Sequence, residues 1–142
     1  MTIKFKRPAR YDVSLADEGV WFALEDEAGN SWGEFKLRYL DPLSPRTEAT
    51  YKRIRAKYAP QIKSKKMGDL EAAKVAFIEA NLADWRGIED EKGKAVEFSL
   101  ENAMAYFDTE TDEGRWALVQ LGNLAGDVTN FGATPVEHTE KN

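Results

Sequence analysis

Hydrophobic and polar positions change their spacing along the chain. They alternate with a period of two in residues 11–15, and residues 20–25 can pair with residues 32–40 across a polar segment at 26–31. Alternation of this kind is typical of β-strands that bury one face. We therefore expect an antiparallel N-terminal sheet. Two prolines in residues 41–45 should end it, because proline lacks the N–H that a central strand needs.

A basic helix should follow the sheet. Residues 47–58 have helical spacing, and Pro60 should stop the helix. Residues 61–66 have little apolar surface to bury, so we expect a loop or a frayed helical extension there. From Asp69, a predicted N-cap, the chain should be helical to about residue 84. The apolar stripe of this helix contains Leu70, Ala73, Phe77, Ile78 and Leu82.

A β-hairpin should be inserted after that helix. Trp85 and Ile88 give apolar surface to a short strand, residues 89–94 form a polar turn, and residues 95–98 are the expected return strand. Residues 85–93, which include most of this turn, share the pattern W-x-x-x-E-D-E-x-G with residues 21–29. Either two hairpins of similar build or a chance similarity between two acidic turns explains this echo.

Two further helices complete the predicted order. Ser99 has the position of an N-cap, and helical spacing follows at Leu100, Ala103, Met104 and Phe107. Residues 108–114 interrupt the pattern, and a last helix should span about residues 115–131. Its apolar seam contains Ala117, Leu121, Leu124, Val128 and Phe131.

These elements predict a single α+β domain over residues 1–131. It would have an N-terminal antiparallel β-sheet or hairpin, followed by a helical region with an inserted β-hairpin. A chain of 142 residues is long enough to bury a core without covalent cross-links, and its lack of cysteine excludes disulfides and thiolate metal sites. We expect residues 132–142, which are mostly polar, to form a disordered tail.

The second half of the chain carries two motifs in a fixed order. The first is D-W-x-G-[IV], at Asp84, Trp85, Gly87 and Ile88. The second is F-[ST]-x-E-N, at Phe98, Ser99, Glu101 and Asn102, and a further apolar helix follows it. In this order the segment resembles the C-terminal half of the tail assembly chaperones of long-tailed, siphovirus-type bacteriophages. Residues 17–22 and 35–39 extend the resemblance more loosely.

The resemblance implies a non-enzymatic function. Such chaperones bind the long, helical tape measure protein during tail assembly, bring tail tube protein to it and leave before the tail is finished. They commonly self-associate, so a homo-oligomer is expected. A ribosomal frameshift near the end of the gene often yields a longer product in this family. The resemblance gives no motif-defined binding residues.

Charge is unevenly distributed and raises an alternative. Residues 1–45 hold 6 Lys/Arg against 8 Asp/Glu, residues 46–66 hold 8 against 1, and residues 67–142 hold 6 against 16. The basic segment, in which Tyr51 and Tyr58 are interleaved, could contact phosphates with stacking support. Because the whole chain is acidic, we expect instead that this segment is solvated or docks on an acidic surface, including the chain's own C-terminal region. Nucleic acid is therefore the less favoured partner.

The candidates for catalysis and metal binding are weak. The single histidine, His138, lies in the polar tail, where a preorganised site is not expected. Residues 108–119 alternate acids as calcium loops do, but glycine falls one place late and Val119 stands where a bidentate glutamate belongs. The acids of 25–27 and 89–91 lie in predicted turns, where water should keep them ordinary anions. We expect no enzyme activity, no catalytic residues, no cofactor and no metal.

Two groups of residues are the candidate partner-binding sites. The last helix carries Trp116 and Val119 off its main seam, and Gly122 and Gly126 leave a groove that another backbone could approach. A neighbouring helix of the same chain could also fill that groove. The basic helix supplies the second group, Lys52, Arg53 and Arg55.

The sequence predicts a location in the host cytoplasm and no membrane partner. No segment approaches eighteen uninterrupted apolar residues, and residues 1–10 are not followed by the apolar core of a signal peptide. Besides the chaperone, two other functions are compatible with the sequence. These are a nucleic-acid-binding phage protein that uses residues 46–66, and a structural subunit of the virion tail.

Overall fold

A three-stranded antiparallel sheet packs against three of the helices in the computed structural model, which describes residues 2–132. The strand order is β1-β2-β3, so β2 is central. The elements in chain order are α1 (Val13–Glu18), β1 (Val20–Glu25), β2 (Ser31–Leu37), α2 (Pro45–Lys57), α3 (Ala59–Lys63), α4 (Asp69–Asn81), β3 (Leu82–Arg86), α5 (Leu100–Tyr106), α6 (Asp112–Gly126) and a 3₁₀ helix (Val128–Phe131). The predicted α+β class is confirmed.

The predicted hairpin of β1 and β2 is confirmed, but the alternating residues 11–15 do not form a strand. They lead into α1, because the Asp12 carboxylate accepts hydrogen bonds from the backbone N–H groups of Ser14 and Leu15. Gly19 ends this helix with a φ of 99°. Local capping bonds therefore override the period-two pattern.

Pro60 does not stop the basic helix. Helix α2 begins at Pro45 and ends at Lys57, and Pro60 lies in the first turn of α3. Proline is tolerated there because the first N–H groups of a helix have no intrahelical acceptor. Residues 61–63 of the predicted loop or frayed extension are therefore helical.

Helix α4 differs from its prediction at both ends. Gly68, and not Asp69, is its N-cap residue, and the helix ends at Asn81 because Leu82 begins β3. Phe77, Ile78 and Leu82 are buried as predicted, whereas Leu70 is 48% exposed and lies outside the core.

Trp85 belongs to β3, where it pairs with Phe35 of β2. Residues 95–98 do not form a return strand. They make a single bridge between Glu89 and Ala95 and a hydrogen bond from Val96 N–H to the Ile88 carbonyl. The inserted hairpin is therefore a short closed turn, and Trp85 contributes to the N-terminal sheet.

The turn at 89–94 has the same hydrogen bonds as the turn between β1 and β2. Asp90 Oδ1 accepts hydrogen bonds from the N–H groups of Lys92 and Lys94. Asp26 Oδ1 accepts them in the same way from the N–H groups of Ala28 and Asn30. In each turn a glycine with positive φ follows three residues after the aspartate. The sequence echo therefore reflects two turns of the same build.

The last two α-helices begin at side-chain caps. Ser99 Oγ accepts from Asn102 N–H at the start of α5, as predicted. Helix α6 begins at Asp112, three residues earlier than predicted, because Thr111 Oγ1 accepts from Gly114 N–H. The predicted helix to residue 131 is divided at Asp127, where α6 gives way to the 3₁₀ helix.

Aromatic rings from the sheet and from α5 form the centre of the core. Phe35 lies 6.4 Å from Trp85, 6.2 Å from Tyr106 and 5.8 Å from Phe107, measured between ring centroids. The apolar face of α6 closes this cluster with Ala117, Leu121 and Ala125, which are fully buried. The opposite face of α6 is therefore directed away from the core.

Candidate partner-binding surfaces

The outward side of α6 is open at both predicted glycines. A Cβ atom built on Gly122 or on Gly126 would meet nothing within 4 Å in the described part of the chain. Val119, one turn before Gly122, is 57% exposed. Within residues 2–132, the chain's own helices therefore do not fill the glycine groove, and that alternative is wrong for this part of the molecule. We call Val119, Gly122 and Gly126 the open face of α6.

Trp116 lies at the border between this open face and the core. Its ring packs on that of Trp32, with centroids 4.9 Å apart, and it is partly buried against the core. Its assignment as a partner-binding residue stays a prediction, which now concerns only the exposed part of the ring.

Tyr51 of α2 and Tyr58, which directly follows this helix, both contact α4. Tyr51 Oη donates to Asn81 Oδ1 at 2.5 Å, and Tyr58 Oη donates to Glu79 Oε2 at 2.5 Å. Ile54, between them, is buried. The pKa of Tyr58 is raised to about 12 by its hydrogen bond to Glu79, and burial raises the pKa of Tyr51 to about 12. Both hydroxyl groups are therefore engaged within the molecule, while the two rings remain partly exposed.

The cations of the basic segment face outward. Among residues 2–132, Lys57 pairs with Glu79 at 3.4 Å and Arg46 pairs with Asp17, and the other cations of the segment have no carboxylate within 4.0 Å. These are Lys52, Arg53, Arg55, Lys63, Lys65 and Lys66. The expected docking on the chain's own acidic region is thus limited to one ion pair, and most of the positive charge is free to meet another molecule.

A small groove lies beneath these cations. It has a volume of about 380 Å³ and is lined by Ile62 from α3, by Ala72, Ala73 and Ala76 from α4, and by the polar side chains of Tyr51, Arg55 and Asp69. The groove therefore combines an apolar floor with one cationic and one anionic side chain.

One carboxylate departs from its expected behaviour. The pKa of Asp26 is lowered to about 2, first by the hydrogen bond from Trp32 Nε1 at 3.0 Å and then by those from Asn30. The expectation of an ordinary anion is wrong here. These donors also hold the turn between β1 and β2, so the shift follows from a structural role.

The other sites singled out in the sequence gain no ligand-binding geometry. The Asp108 carboxylate accepts from the Glu110 N–H at 2.9 Å, as in an ordinary turn. No group of three metal-ligating side chains occurs within residues 2–132. His138 and nearly all of the predicted tail at 132–142 lie outside the described residues.

Lys74 has a role that the sequence reasoning missed. It is 3% exposed, and its ammonium donates to the carbonyl groups of Met104 at 2.9 Å and Phe107 at 3.1 Å, with Glu71 3.3 Å away. It therefore binds the carbonyl end of α5, where backbone acceptors have no intrahelical partner. The position of this lysine within the apolar run of α4 is the feature of the sequence that could have indicated a buried role.

The fold defines an α+β protein in which, within residues 2–132, Val119 and Gly126 of α6 and the cations along α2 and α3 are exposed. No helix in the described part of the chain has the length and apolar character needed to cross a membrane. The model of the family described as YdaY prophage protein matches residues 43–142, which is more than half of the chain. The chain belongs to this family and is a phage protein. No curated protein and no solved structure matches it.

Proposed function

We propose that the protein is a non-enzymatic tail assembly chaperone, which works in the host cytoplasm during tail assembly. Its clients would be the tape measure protein and the tail tube protein, and several copies would act together on the extended tape measure protein. The membership of a prophage protein family supports the phage context. The order of the two motifs in residues 84–102 supports the narrower assignment.

The motif residues build the scaffold of the binding surfaces. Trp85 is buried and its Nε1 donates to the Val96 carbonyl at 2.9 Å, which ties β3 to the segment before α5. Gly87 has a φ of 78°, Ile88 is buried and Ser99 caps α5. Because these residues are used inside the molecule, client binding is assigned to other residues.

The open face of α6 is the observation that carries the proposal. Exposed Val119 lies beside two glycines whose missing side chains leave room for a partner backbone. Glycine costs about 1 kcal/mol in a helix relative to alanine, so close packing with a partner would offset that cost. A tape measure protein is helical, and an amphipathic helix placed on this face could approach closely and bury Val119.

The basic segment gives the client a second contact. Six outward cations on α2, α3 and the segment after them attract acidic stretches, and such fields raise association rates more than they raise affinity. The groove of Ile62 and the three alanines lies in the same region. Moderate salt should therefore slow client capture, while the contact at α6 remains.

The test is co-expression of the tagged protein with the tape measure and tail tube genes of the same prophage. We expect capture of a long helical protein by the unchanged chain. The double variant Gly122→Ala, Gly126→Ala places two methyl groups in the client's path and should weaken capture roughly tenfold or more. Gly68→Ala is the matched control, because it also adds a methyl group in open space, but outside α6.

Several results would overturn the proposal. Equal capture by the wild type and the double variant would remove α6 from the client site. Co-purification of nucleic acid that is lost on adding salt would favour the nucleic-acid-binding protein. Presence of the chain in purified virus particles would favour a structural tail subunit.

A further inference from the structure

An extended arm precedes α1. Residues 2–9 form no helix or strand, and all of their side chains are exposed. Ile3 is 71% exposed and Phe5 66% exposed, and they alternate with Lys4 and Lys6. The Arg7 guanidinium lies 5.3 Å from the Phe5 ring centroid, as expected when side chains two apart share one side of an extended chain. Ile3 and Phe5 therefore lie on one side of the arm, with Arg7 after them, and Lys4 and Lys6 lie on the other side.

The arm leaves the body of the protein at a fixed point. Arg10 Nη1 lies 3.0 Å from Asp41 Oδ2, and Asp12 N–H donates to the Phe131 carbonyl at 2.9 Å. Tyr11 packs edge-on against Tyr39 with ring centroids 4.9 Å apart. Residues before Arg10 make no such contacts with the body in the described chain.

Strand β1 offers an unpaired edge. It lies at the end of the strand order, and within residues 2–132 its backbone hydrogen bonds go only to β2. Its first five residues are Val20, Trp21, Phe22, Ala23 and Leu24, which include no charge and no proline. Edge strands in proteins usually carry charged residues or proline, which prevent pairing with another strand. On the opposite edge, Trp85 of β3 is tied to Val96 through its indole.

We propose that residues 3–7 of the arm add as a fourth strand to β1 of a second copy of this chain. The sides of the two segments match. Phe22 and Leu24 lie on the core side of β1, where Ile3 and Phe5 would extend the apolar surface. Trp21 lies on the outer side, against Arg86, and Glu25, at the end of the strand beyond a register shift, is exposed. There Lys4 and Lys6 would meet the Glu25 carboxylate.

One arm and one open edge per copy allow a reciprocal exchange. The arm of each copy can then pair with β1 of the other copy, which gives a dimer with two-fold symmetry. The pairing gives a physical route to self-association. It does not depend on the client proposed above, and client capture by α6 would remain if the pairing failed.

The absence of cysteine from the chain permits a direct test by cross-linking. Lys4→Cys and Lys6→Cys are each combined with Ala23→Cys in the full chain and oxidised mildly. We expect at least one of the two pairs to give a disulfide-linked dimer, with mass spectrometry showing the link between the arm and position 23. A link within one chain, or no link between the arm and position 23, would overturn the proposal. Leu43→Cys with Ala23→Cys is the control, since residue 43 is exposed but lies outside the arm.

Sedimentation gives a second and independent measurement. We expect the wild type to have about twice the monomer mass of 16.0 kDa and to dissociate on dilution. Ile3→Lys with Phe5→Lys should raise the dimer dissociation constant roughly a hundredfold or more, because two apolar side chains lose their burial. Leu43→Lys should leave it unchanged. A wild type that stays at 16.0 kDa, or a double variant that associates as the wild type does, would refute the pairing.

Discussion

Replacing Gly114 with alanine should destabilise the protein, whereas the same replacement at Gly122 in the same helix should stabilise it. A Cβ atom on Gly114 would lie 2.1 Å from the Asp108 carbonyl oxygen and 2.6 Å from the Asp108 nitrogen. Those are backbone atoms, which cannot rotate away as a side chain can. A Cβ atom on Gly122 would meet nothing within 4 Å.

The magnitudes follow from these surroundings. Overpacking costs about 1–3 kcal/mol, and alanine is favoured over glycine in a helix by about 1 kcal/mol. Because the clash at Gly114 is with backbone and affects the cap from Thr111, we expect a net loss of about 2 kcal/mol there. At Gly122 the helical preference acts alone, so a gain of up to about 1 kcal/mol is expected. The two variants should therefore differ by about 3 kcal/mol, or about 10 °C in Tm.

Urea and thermal unfolding followed by circular dichroism measure this difference. The urea midpoint should fall for Gly114→Ala and rise slightly for Gly122→Ala, with similar m-values for both. If Gly114→Ala is as stable as the wild type, the close approach of Asp108 to α6 is wrong. If Gly122→Ala is strongly destabilised, the outer side of α6 is covered and the proposed client site is lost with it.

Three further changes test other parts of the structure. Ser99→Ala should lower the free energy of unfolding by about 1 kcal/mol, measured in urea, because α5 loses its N-cap. Lys74→Met should cost about 2 kcal/mol, since two buried carbonyl groups lose their donor, whereas Lys92→Met at an exposed position should be neutral. Asp26 has its pKa lowered from 3.8 to about 2, so its stabilising contribution is complete above pH 3.8 and is lost as the pH falls through about 2. Trp32→Phe should raise that pKa toward 3.8 in an NMR titration, and an unchanged pKa would contradict the assigned cause.

The parts of the fold that could be predicted from the sequence are held by local contacts. The β1–β2 turn depends on Asp26 and Gly29, and the start of α5 depends on Ser99, all within a few residues of their partners. Residues 11–15 were misjudged, although Asp12 carried the N-cap signal that decides their structure. Where a cap and a period-two pattern compete over five residues, the cap is the stronger signal.

The non-local parts could not be predicted from spacing alone. The apolar stripe of α4 continues into Leu82, so the spacing of apolar residues does not show where the chain leaves the helix and pairs with β2. The helix ends there because Asn81 binds two other parts of the chain, the segment after β2 and helix α2. Its side chain donates to the carbonyls of Arg38 and Tyr39 and accepts from Tyr51, and its own carbonyl accepts from the Arg38 N–H.

The candidate site was predictable to a similar extent. Glycines on the outer side of α6 indicated an open face, and no other described residue fills it. Tyr51, Ile54 and Tyr58 are spaced by three and four, which places them on one side of a helix. Their partners on α4 decide that this is the inner side, and the cations are left on the outer one.

The glycines of α6 show why a residue type alone does not identify a binding surface. Gly114 is required by the fold, because Asp108 occupies the space that a side chain would need. No comparable contact requires Gly122 or Gly126, since the described chain leaves the space around them empty. A glycine that costs helix stability without serving the packing of its own chain is better explained by the approach of another chain. Alanine at these two positions therefore distinguishes folding from binding, because it should raise the stability of the protein and lower its affinity for the client.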